Sequence, residues 1–435
     1  MKKFSLLLII PFLIQSQAWN QLGGSISSLI GDTQINSFDL NSLGNTIVVG
    51  SPSNGSEFVA TIGNVNIFQF INNQWVQLGN TIYGDYEFFG QKVAINSEGN
   101  TIAIYDPNSN YVKIYEYNNF WDLVTEIEQD DVSDMAFSKD GNSLIIGNED
   151  GNSENYALAG CIRVFLNNEN QWNQIGNKIC GNMVYDYIGT SIDINNSGTI
   201  ISFGQDNEQG AGSKVEVYQL INNDWFPKGN PIYPDSISTF QPNYSTKVSL
   251  SYTGDTIAVL MNQESQDVFF QDYIQILSFE NSEWVPICEN FYFDYHVKEF
   301  CVNKSFNKMI VSTTMMSENI MDPDDGDDNT FIFTYSKNNQ NNWNQLNYVM
   351  EFEYDIDKID LSYSGNIFSL LDDQNNLVNS YELIDENFNQ IELFKKQKKL
   401  LRVIGILGHN RITIKNQPFI EIYDDGSVEK KYVIE

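Results

Sequence analysis

Tyrosine and aspartate occur side by side in several polar segments of this 435-residue chain. Aromatic rings pack against sugar rings and carboxylates accept hydrogen bonds from hydroxyls, so these residues could form a ligand-binding surface. The alternative, which we favour, is that the aromatic rings pack between structural units, as we expect for Phe89 before Gly90. The candidate ligand-binding residues are Tyr83, Asp85, Tyr86, Tyr185, Asp186, Tyr187, Tyr233, Asp235, Tyr292, Asp294 and Tyr295.

An acidic segment could bind calcium, which takes six to eight oxygen ligands. The candidate metal ligands are Asp322, Asp324, Asp325, Asp327 and Asp328. Their spacing does not match the twelve-residue EF-hand loop, and the segment 148–152 is a weaker candidate. A solvated acidic loop is the favoured alternative. The sequence therefore leaves Ca²⁺ open and indicates no other cofactor.

The residues needed by most hydrolases are scarce. The chain has two histidines, His296 and His409. These are too few to favour a histidine-based triad or a zinc cluster. Arg163 is the only arginine between residues 19 and 392, which excludes the arginine cluster of a sialidase. A glycosidase or lyase that uses two carboxylates stays open, although no two acids stand out. We therefore expect a non-catalytic protein.

The charge of the chain disfavours nucleic acid as a partner. With 24 basic and 57 acidic residues the formal net charge is −33. Residues 19–392 alone carry 13 basic and 52 acidic residues. Such a surface repels phosphate backbones and could attract cations or basic surfaces. Solubility alone is the simpler explanation.

Four cysteines in an exported chain suggest disulfides, and four cysteines allow three pairings. Cys161 and Cys180 flank a predicted hairpin, and Cys288 and Cys301 flank the next long connection. The favoured pairs are therefore 161–180 and 288–301. Four buried free thiols are the alternative.

A tryptophan repeat predicts the structural elements that must position these residues. All seven tryptophans open a copy of a short segment, best seen in Trp75-Val76-Gln77-Leu78-Gly79. The spacings are 56, 46, 51, 53, 59 and 59 residues, in the range of propeller blades. The seven copies start at Trp19, Trp75, Trp121, Trp172, Trp225, Trp284 and Trp343.

Each repeat contains four strand-like segments and no helical periodicity. A glycine turn joins the first two, and an Asn-rich turn leads to the tryptophan strand. We therefore predict an all-β fold, a seven-bladed β-propeller of four-stranded blades. The sixth turn, residues 303–307, lacks the glycine, so we expect that blade to be irregular.

One strand precedes the first repeat and is expected to close the ring. Trp19–Gly23 would pair with the last third strand, Leu377–Leu383. Alternatively, Phe388–Leu393 fills that place and Trp19–Gly23 lies outside it.

The strand order predicts that all variable loops share one end of the propeller, which we call the loop face. Loops on a rigid scaffold are the usual location of binding residues. The predicted loop face comprises residues 51–62, 83–90, 148–160, 181–189, 204–213, 232–245, 261–271, 289–297 and 314–330.

The repeats resemble the FG-GAP-like family of extracellular propellers, over about residues 19–390. The matching residues are Trp75, Gln77, Leu78, Gly79, Phe89, Gly90 and Gly99, and later Trp172, Ile175, Gly176, Gly189 and Gly198. The resemblance implies the fold and an extracellular location. It says little about the ligand, because the family includes adhesive receptors and many surface proteins without assigned ligands.

The two chain ends predict export. Lys2 and Lys3 followed by apolar residues 4–14 and Ser16-Gln17-Ala18 form a signal peptide that we expect to be removed near Ala18. The apolar run is too short for a membrane anchor. The mature chain therefore has no predicted transmembrane segment.

The basic tail, residues 393–435, resembles the C-terminal sorting domain of the type IX secretion system of Bacteroidetes. The likeness lies in Lys398-Lys399-Leu400-Leu401, Ile406-Leu407-Gly408 and Ile422–Lys431. It departs from the family at Gly405 and His409. The resemblance implies the type IX machinery as a partner. Asp424-Asp425-Gly426-Ser427 predicts a hairpin in this tail.

The predicted organisation is a signal peptide (1–18), a propeller (19–392) and a small β-rich sorting domain (393–435). We expect a monomer, secreted or held at the cell surface after crossing the periplasm, which binds an extracellular glycan or protein. A carboxylate-based polysaccharide-degrading enzyme is the first alternative. A structural surface protein without a discrete ligand is the second.

Overall fold

The described part of the chain is built from β-strands alone. The computed structural model describes residues 17–29, 34–52, 62–169, 171–206, 213–233, 246–261, 272–293, 295–314, 329–338, 340–346, 348–356, 358–385, 400–405, 418–423 and 428–432. Among these residues, no helix is long and apolar enough to cross a membrane.

Seven strands, one from each blade, surround a central channel. These innermost strands are β3 Ser37–Leu40, β8 Val93–Ile95, β12 Asp134–Phe137, β17 Ile192–Ile194, β21 Lys247–Leu250, β26 His296–Val302 and β31 Ile359–Leu361. The second strands are β4 Thr46–Ser51, β9 Thr101–Asp106, β13 Ser143–Asn148, β18 Ile200–Gln205, β22 Thr256–Met261, β27 Lys308–Thr314 and β32 Ile367–Asp372.

The third and outer strands complete each blade. The third strands are β5 Asn64–Ile71, β10 Tyr111–Tyr117, β14 Cys161–Asn168, β19 Lys214–Ile221, β23 Asp272–Glu280, β28 Thr330–Lys337 and β33 Leu377–Asp385. The outer strands are β1 Gln17–Gln21, β6 Gln74–Gln77, β11 Trp121–Glu128, β15 Gln171–Gln174, β20 Asp224–Pro227, β24 Glu283–Pro286 and β29 Trp343–Gln345. Five short strands extend the outer edge: β2 Ile26–Ser27, β7 Ile82–Tyr83, β16 Ile179–Cys180, β25 Phe291–Phe293 and β30 Met350–Phe352.

Seven antiparallel sheets result, so the prediction of a seven-bladed β-propeller is confirmed. We number the blades 1 to 7 from β3 onward. Blade 7 has the order β1-β33-β32-β31, so the first strand of the chain pairs with the last third strand. The predicted ring closure is therefore confirmed. The alternative closing segment, residues 388–393, lies outside the described residues.

The apolar cores lie between neighbouring blades, which is why the second strands are buried along almost their whole length. The cluster between blades 2 and 3, for example, joins Ala103 and Tyr105 to Phe137 and Leu144. Strands buried on both faces read as continuous apolar runs. The prediction that Phe89 packs inside is also confirmed, since its side chain is fully buried.

The sixth turn is the one that lacks the glycine. It keeps the conformation of the other six turns. Phe306 takes the place of the glycine with a φ of 51° and is buried. Its N–H donates to Asn303 O at 2.7 Å, as Gly44 N–H donates to Asn41 O at 2.9 Å. The expected irregularity is therefore absent from this turn. Packing compensates for a backbone region that bulky residues avoid.

The tryptophan repeat is a contact between successive outer strands. The indole N–H of Trp225 donates to Ile175 O at 3.0 Å, and the same ring covers Gly176. A Cβ added to Gly176 would lie 2.5 Å from Trp225 Cδ1, and the φ of Gly176 is 70°. The glycine of the repeat therefore makes room for the indole of the next copy. The equivalent bonds are Trp75 to Leu22, Trp121 to Leu78 and Trp284 to Lys228.

Where the repeat lacks this glycine, the bond is lost. Thr125, Cys288 and Asn347 stand at the glycine position of the third, sixth and seventh copies. The indole nitrogens of the tryptophans that follow the third and sixth copies, Trp172 and Trp343, have no hydrogen-bond partner among the described residues. Trp19, which follows the seventh copy around the ring, donates instead to Thr334 Oγ1 at 2.8 Å. The indole–carbonyl bond is therefore found only where the preceding copy keeps its glycine.

One predicted disulfide is confirmed and the other is wrong. Cys161 and Cys180 are bonded and lie opposite each other on β14 and β16. Cys288 and Cys301 are free thiols. Cys288 follows the outer strand of blade 5, whereas Cys301 lies on the innermost strand of blade 6 and lines the channel. The two cysteines flank one connection in the sequence, but one follows an outer strand and the other lies on the innermost strand of the next blade.

The chain divides into two compact units, of which Trp19–Leu383 is the propeller. The described part of the other unit is a three-stranded antiparallel sheet, β34 Leu400–Gly405, β35 Pro418–Tyr423 and β36 Val428–Tyr432. Ile422 pairs with Val428, which confirms the predicted hairpin. Residues 1–16 of the predicted signal peptide lie outside the described residues.

Replacing Gly176 by alanine should lower the free energy of unfolding by about 2–3 kcal/mol. A left-handed backbone costs a non-glycine residue about 1–2 kcal/mol, and the displaced indole would lose a hydrogen bond worth about 1 kcal/mol. Urea unfolding of the Gly176→Ala variant measures this loss. Gly24→Ala is the matched control, because a Cβ there would meet no atom within 4 Å. Equal losses in both variants would contradict this account of the repeat.

Candidate functional site

The central channel brings five lysines and six acids of the described propeller together. It encloses about 590 Å³ and is lined by all seven innermost strands. Side chains alternate along a strand, so every second residue of these strands faces the channel. The layer nearest the loop face, which we call the mouth, contains Lys92, Asp134, Ser191, Lys247, Glu299 and Lys358. The middle layer contains Asp39, Ala136, Asp193, Ser249, Cys301 and Asp360.

The acids of the innermost strands accept hydrogen bonds from the main chain. An innermost strand has only one neighbour in its sheet, so its other edge presents unpaired N–H groups. Asp193 accepts from its own neighbour Ile194 and from Leu250 of the next blade, both at 2.7 Å. Three other aspartates repeat this pattern. Asp39 accepts from Leu40 and Ile95, and Asp360 accepts from Leu361 and Leu40. Asp134 accepts from Met135 and Ile192. These carboxylates therefore join the blades.

Asp39 and Asp360 share one main-chain donor in this network. The N–H of Leu40 donates to Asp39 Oδ1 and to Asp360 Oδ2, both at 2.9 Å. Burial and the charge of Asp360 raise the pKa of Asp39 to about 8. The pair therefore holds a proton at neutral pH.

Two channel lysines have carboxylate partners. Lys247 lies 2.6 Å from Glu299, and Lys304 lies 2.5 Å from Asp193. Lys304 also donates to Leu250 O at 3.0 Å. These lysines balance acids that the innermost strands bring into the channel.

Three other channel lysines, Lys92, Lys139 and Lys358, have no ion pair within 4 Å among the described residues. Burial lowers the pKa of Lys92, and the charge of Lys358 lowers it further. Burial and Lys304 lower the pKa of Lys139 in the same way. The channel can therefore offer ammonium groups to a ligand at its mouth and at its far end.

The predicted tyrosines Tyr83, Tyr233 and Tyr292 are exposed but do not form one cluster. They lie on blades 1, 4 and 5, each eight residues after the tryptophan of its blade. The preceding Ile82 and Ile232 are buried, so alternation along the strand turns the tyrosines outward. The three tyrosines therefore recur because each occupies the same outward-facing position of its blade.

The connections from blade 1 to blade 2 and from blade 3 to blade 4 share one motif. Phe88 and Tyr187 each stand two residues before a glycine and have φ values of 45° and 46°. The residue between, Phe89 or Ile188, is buried. Phe88 is 41% exposed and Tyr187 is half-buried. A left-handed aromatic residue is rare and marks a strained position.

The remaining predicted residues have different roles. Asp186 is fully buried and accepts bonds from the N–H groups of Asn182 and Met183 and from Gln205, at 2.8–2.9 Å, so it shapes its loop. Tyr185 packs near Tyr187 with ring centroids 5.9 Å apart. Tyr295 is stacked on Phe331 at 5.6 Å. Asp85 and Tyr86 are exposed on the connection to blade 2.

Several predicted residues lie outside the described residues. These are Asp235, Asp294 and the calcium candidates Asp322, Asp324, Asp325, Asp327 and Asp328. Within the described ranges, no group of three His, Cys, Asp or Glu residues could hold a metal ion.

Sequence reasoning missed the channel, although a signal exists. In each repeat, the mouth and middle layers lie four and two residues before the residue that starts the glycine turn, such as Asn41 or Asn195. Charged residues at these two positions interrupt an otherwise apolar strand. Comparison of the seven copies at that register would have grouped them.

No family model and no curated protein sequence matches this chain. Among solved structures, it is similar to the hydrazine synthase of Kuenenia stuttgartiensis, with a TM-score of 0.53 and 11% identity over 83% of this chain and 97% of that one. A Bacteroides uniformis protein described as a candidate 6-phosphogluconolactonase has a TM-score of 0.47 and 13% identity, over 72% and 84%. The first likeness shows the propeller fold alone, and the second carries no argument.

The stability of the protein should fall as the pH rises from about 4 to about 8. The pKa values of Asp39 and Asp206 are raised to about 8 and about 7, chiefly by burial. The folded protein therefore keeps protons that unfolded aspartates, with a pKa near 3.9, have lost. Asparagine cannot ionise, so Asp39→Asn should flatten the part of this fall that ends near pH 8.

Urea unfolding of both proteins between pH 4 and pH 9 measures the effect. Asp85→Asn, at an exposed position, should keep the wild-type slope. If Asp39→Asn and wild type fall in parallel, the carboxylate pair does not hold the proton.

Proposed function

We propose that the protein is an exported, non-catalytic β-propeller that binds an extracellular glycan or protein on its loop face. The observation that carries this proposal is the matched pair of strained aromatic residues, Phe88 and Tyr187. Both lie on blade-to-blade connections of that face. Strain of this kind persists where the surrounding structure enforces it, and it clusters at binding sites. Aromatic rings at such positions suit sugar rings and apolar side chains.

Export is supported by three features. The N-terminal residues have the composition of a signal peptide. The Cys161–Cys180 disulfide fits an oxidising compartment. The tail, with its β35–β36 hairpin, resembles a type IX sorting domain, which would make that secretion machinery a partner. Together these features favour a secreted or surface-attached protein.

A binding role is favoured over catalysis because the channel acids already accept hydrogen bonds that join the blades. Asp39, Asp134, Asp193, Glu299 and Asp360 each accept at least one main-chain N–H bond. Glycoside hydrolysis needs two carboxylates that are free to act on the substrate. The alternative keeps one specific candidate, the Asp39–Asp360 pair, because the raised pKa of Asp39 suits a general acid.

Removing both strained aromatic residues should strongly weaken ligand binding. We expect the Phe88→Ala/Tyr187→Ala double variant of the mature chain to lose at least ~10-fold in signal on a glycan array or on an array of extracellular proteins, since one buried aromatic contact is worth about 0.5–1.5 kcal/mol beyond its area. Phe120→Ala is the control, because Phe120 is 64% exposed in the turn between β10 and β11, at the opposite face. Equal loss in the control, or unchanged binding in the double variant, would contradict the loop-face site.

Catalysis is tested on the glycans that bind. We expect no release of reducing ends, because the channel carboxylates hold the blades together. Release that disappears in both Asp39→Asn and Asp360→Asn would replace the binding role by the enzymatic alternative.

A further inference from the structure

We infer that the loop-face mouth of the channel binds the anionic group of an acidic sugar, held by Lys92 and Lys358. This inference rests on the proposed function and deepens it by naming the ligand class. It would add a charged anchor to the aromatic contacts of the loop face.

Basic residues are concentrated in the channel far beyond their share of the chain. Five of the 13 lysines and arginines of residues 19–392 line it, whereas only six of the 52 acids of that span do. The lysines are Lys92, Lys139, Lys247, Lys304 and Lys358, and the acids are Asp39, Asp134, Asp193, Glu299, Asp360 and Asp373. A strongly acidic protein thus keeps a local set of cations at one place.

Lys92 and Lys358 stand at equivalent positions of blades 2 and 7, the two neighbours of blade 1. Blade 1 contributes no charge to the mouth, where Asn36 lines the gap between them. Each lysine points into a cavity that it shares with the other, and the charge of Lys358 lowers the pKa of Lys92. An anion placed between them would relieve this repulsion and strengthen both contacts.

The charges of Lys92 and Lys358 act on the channel acid Asp134, but neither lysine makes an ion pair with a channel acid among the described residues. Lys247 does make such a pair with Glu299, and Lys304 does with Asp193. Lys358 instead lies over the ring of Phe38, 5.5 Å from its centroid. Lys92 is influenced by the charges of Asp134 and Glu149 but lies within 4 Å of no carboxylate among the described residues.

The dimensions and polarity of the site indicate a small, hydroxyl-rich ligand with a single anionic group. A volume of about 590 Å³ lies in the usual range for small-molecule sites. Asp134 and Ser191 offer acceptors to hydroxyl groups in the layer of the lysines, and the carboxylates Asp39 and Asp360 offer acceptors in the middle layer. A polymer rich in phosphate would be repelled by the surrounding acidic surface. A uronic acid or a similar acidic sugar, at the end of a glycan, has the required combination.

The test uses the mature full-length chain and three probes: D-glucuronate, D-glucose and inorganic sulfate. Isothermal titration calorimetry should show D-glucuronate binding at least ~10-fold more tightly than D-glucose, because a charge-assisted hydrogen bond is stronger than a neutral one. Lys92→Met and Lys358→Met should each lose at least ~10-fold for D-glucuronate and little for D-glucose. Lys178→Met, at an exposed lysine, is the matched control. Lys92→Arg keeps the charge and should keep most of the affinity.

Each outcome decides. Equal affinity for D-glucuronate and D-glucose, or full D-glucuronate binding by Lys92→Met and Lys358→Met, overturns the inference. Sulfate that binds as tightly as D-glucuronate would show an anion site without sugar recognition and would also overturn it. Thermal unfolding of each variant separates lost binding from lost folding. An array on which only neutral glycans bind would support the proposed function and overturn this inference. D-glucuronate binding without binding of any glycan or protein on the array would support this inference and overturn the proposed function.

Discussion

A closed ring of sheets leaves one edge of every blade unpaired, and this constraint governs the centre of the molecule. The innermost strands present N–H groups to the channel that no strand can accept. Aspartates of the preceding blade accept them, as Asp193 does for Leu250 and Asp39 for Ile95. Carboxylates are thereby drawn into a narrow space, and lysines such as Lys247 and Lys304 accompany them. The charged channel is thus a consequence of closing the ring, and the proposed ligand site uses the lysines that this balance leaves unpaired.

The outer rim solves a different problem, which is how to keep seven similar sheets in register. Where a copy has its glycine, the indole of the next copy covers that glycine and donates to the carbonyl before it. Four of these contacts are complete, while the copies with Thr125, Cys288 or Asn347 lack the indole–carbonyl bond. The connections between these blades carry Phe88 and Tyr187 in a backbone region that aromatic residues avoid. Scaffold and proposed site are therefore linked through the same blade-to-blade packing.

The aromatic residues and the lysine mouth belong to the same end of the propeller. The blade connections that carry Phe88 and Tyr187 lead to the mouth residues Lys92 and Ser191, which directly precede β8 and β17. A glycan end that enters the channel could therefore contact an aromatic ring and an ammonium group together. This division, with apolar surface for area and a few charges for orientation, is common in ligand sites.

The sequence by itself determined the number of blades, the strand order, the closing strand Trp19–Gly23, the Cys161–Cys180 bond and the tail hairpin. Each of these depends on local patterns: the tryptophan spacing, the glycine turns, and residues that face each other across one hairpin. What the sequence could not decide were the properties that arise between blades. Cys288 and Cys301 are close along the chain but lie on different blades, and Tyr83, Tyr233 and Tyr292 look like one motif but point outward from separate blades. Lys92 and Lys358 are 266 positions apart in the sequence, and only the closure of the ring makes them neighbours of the same blade.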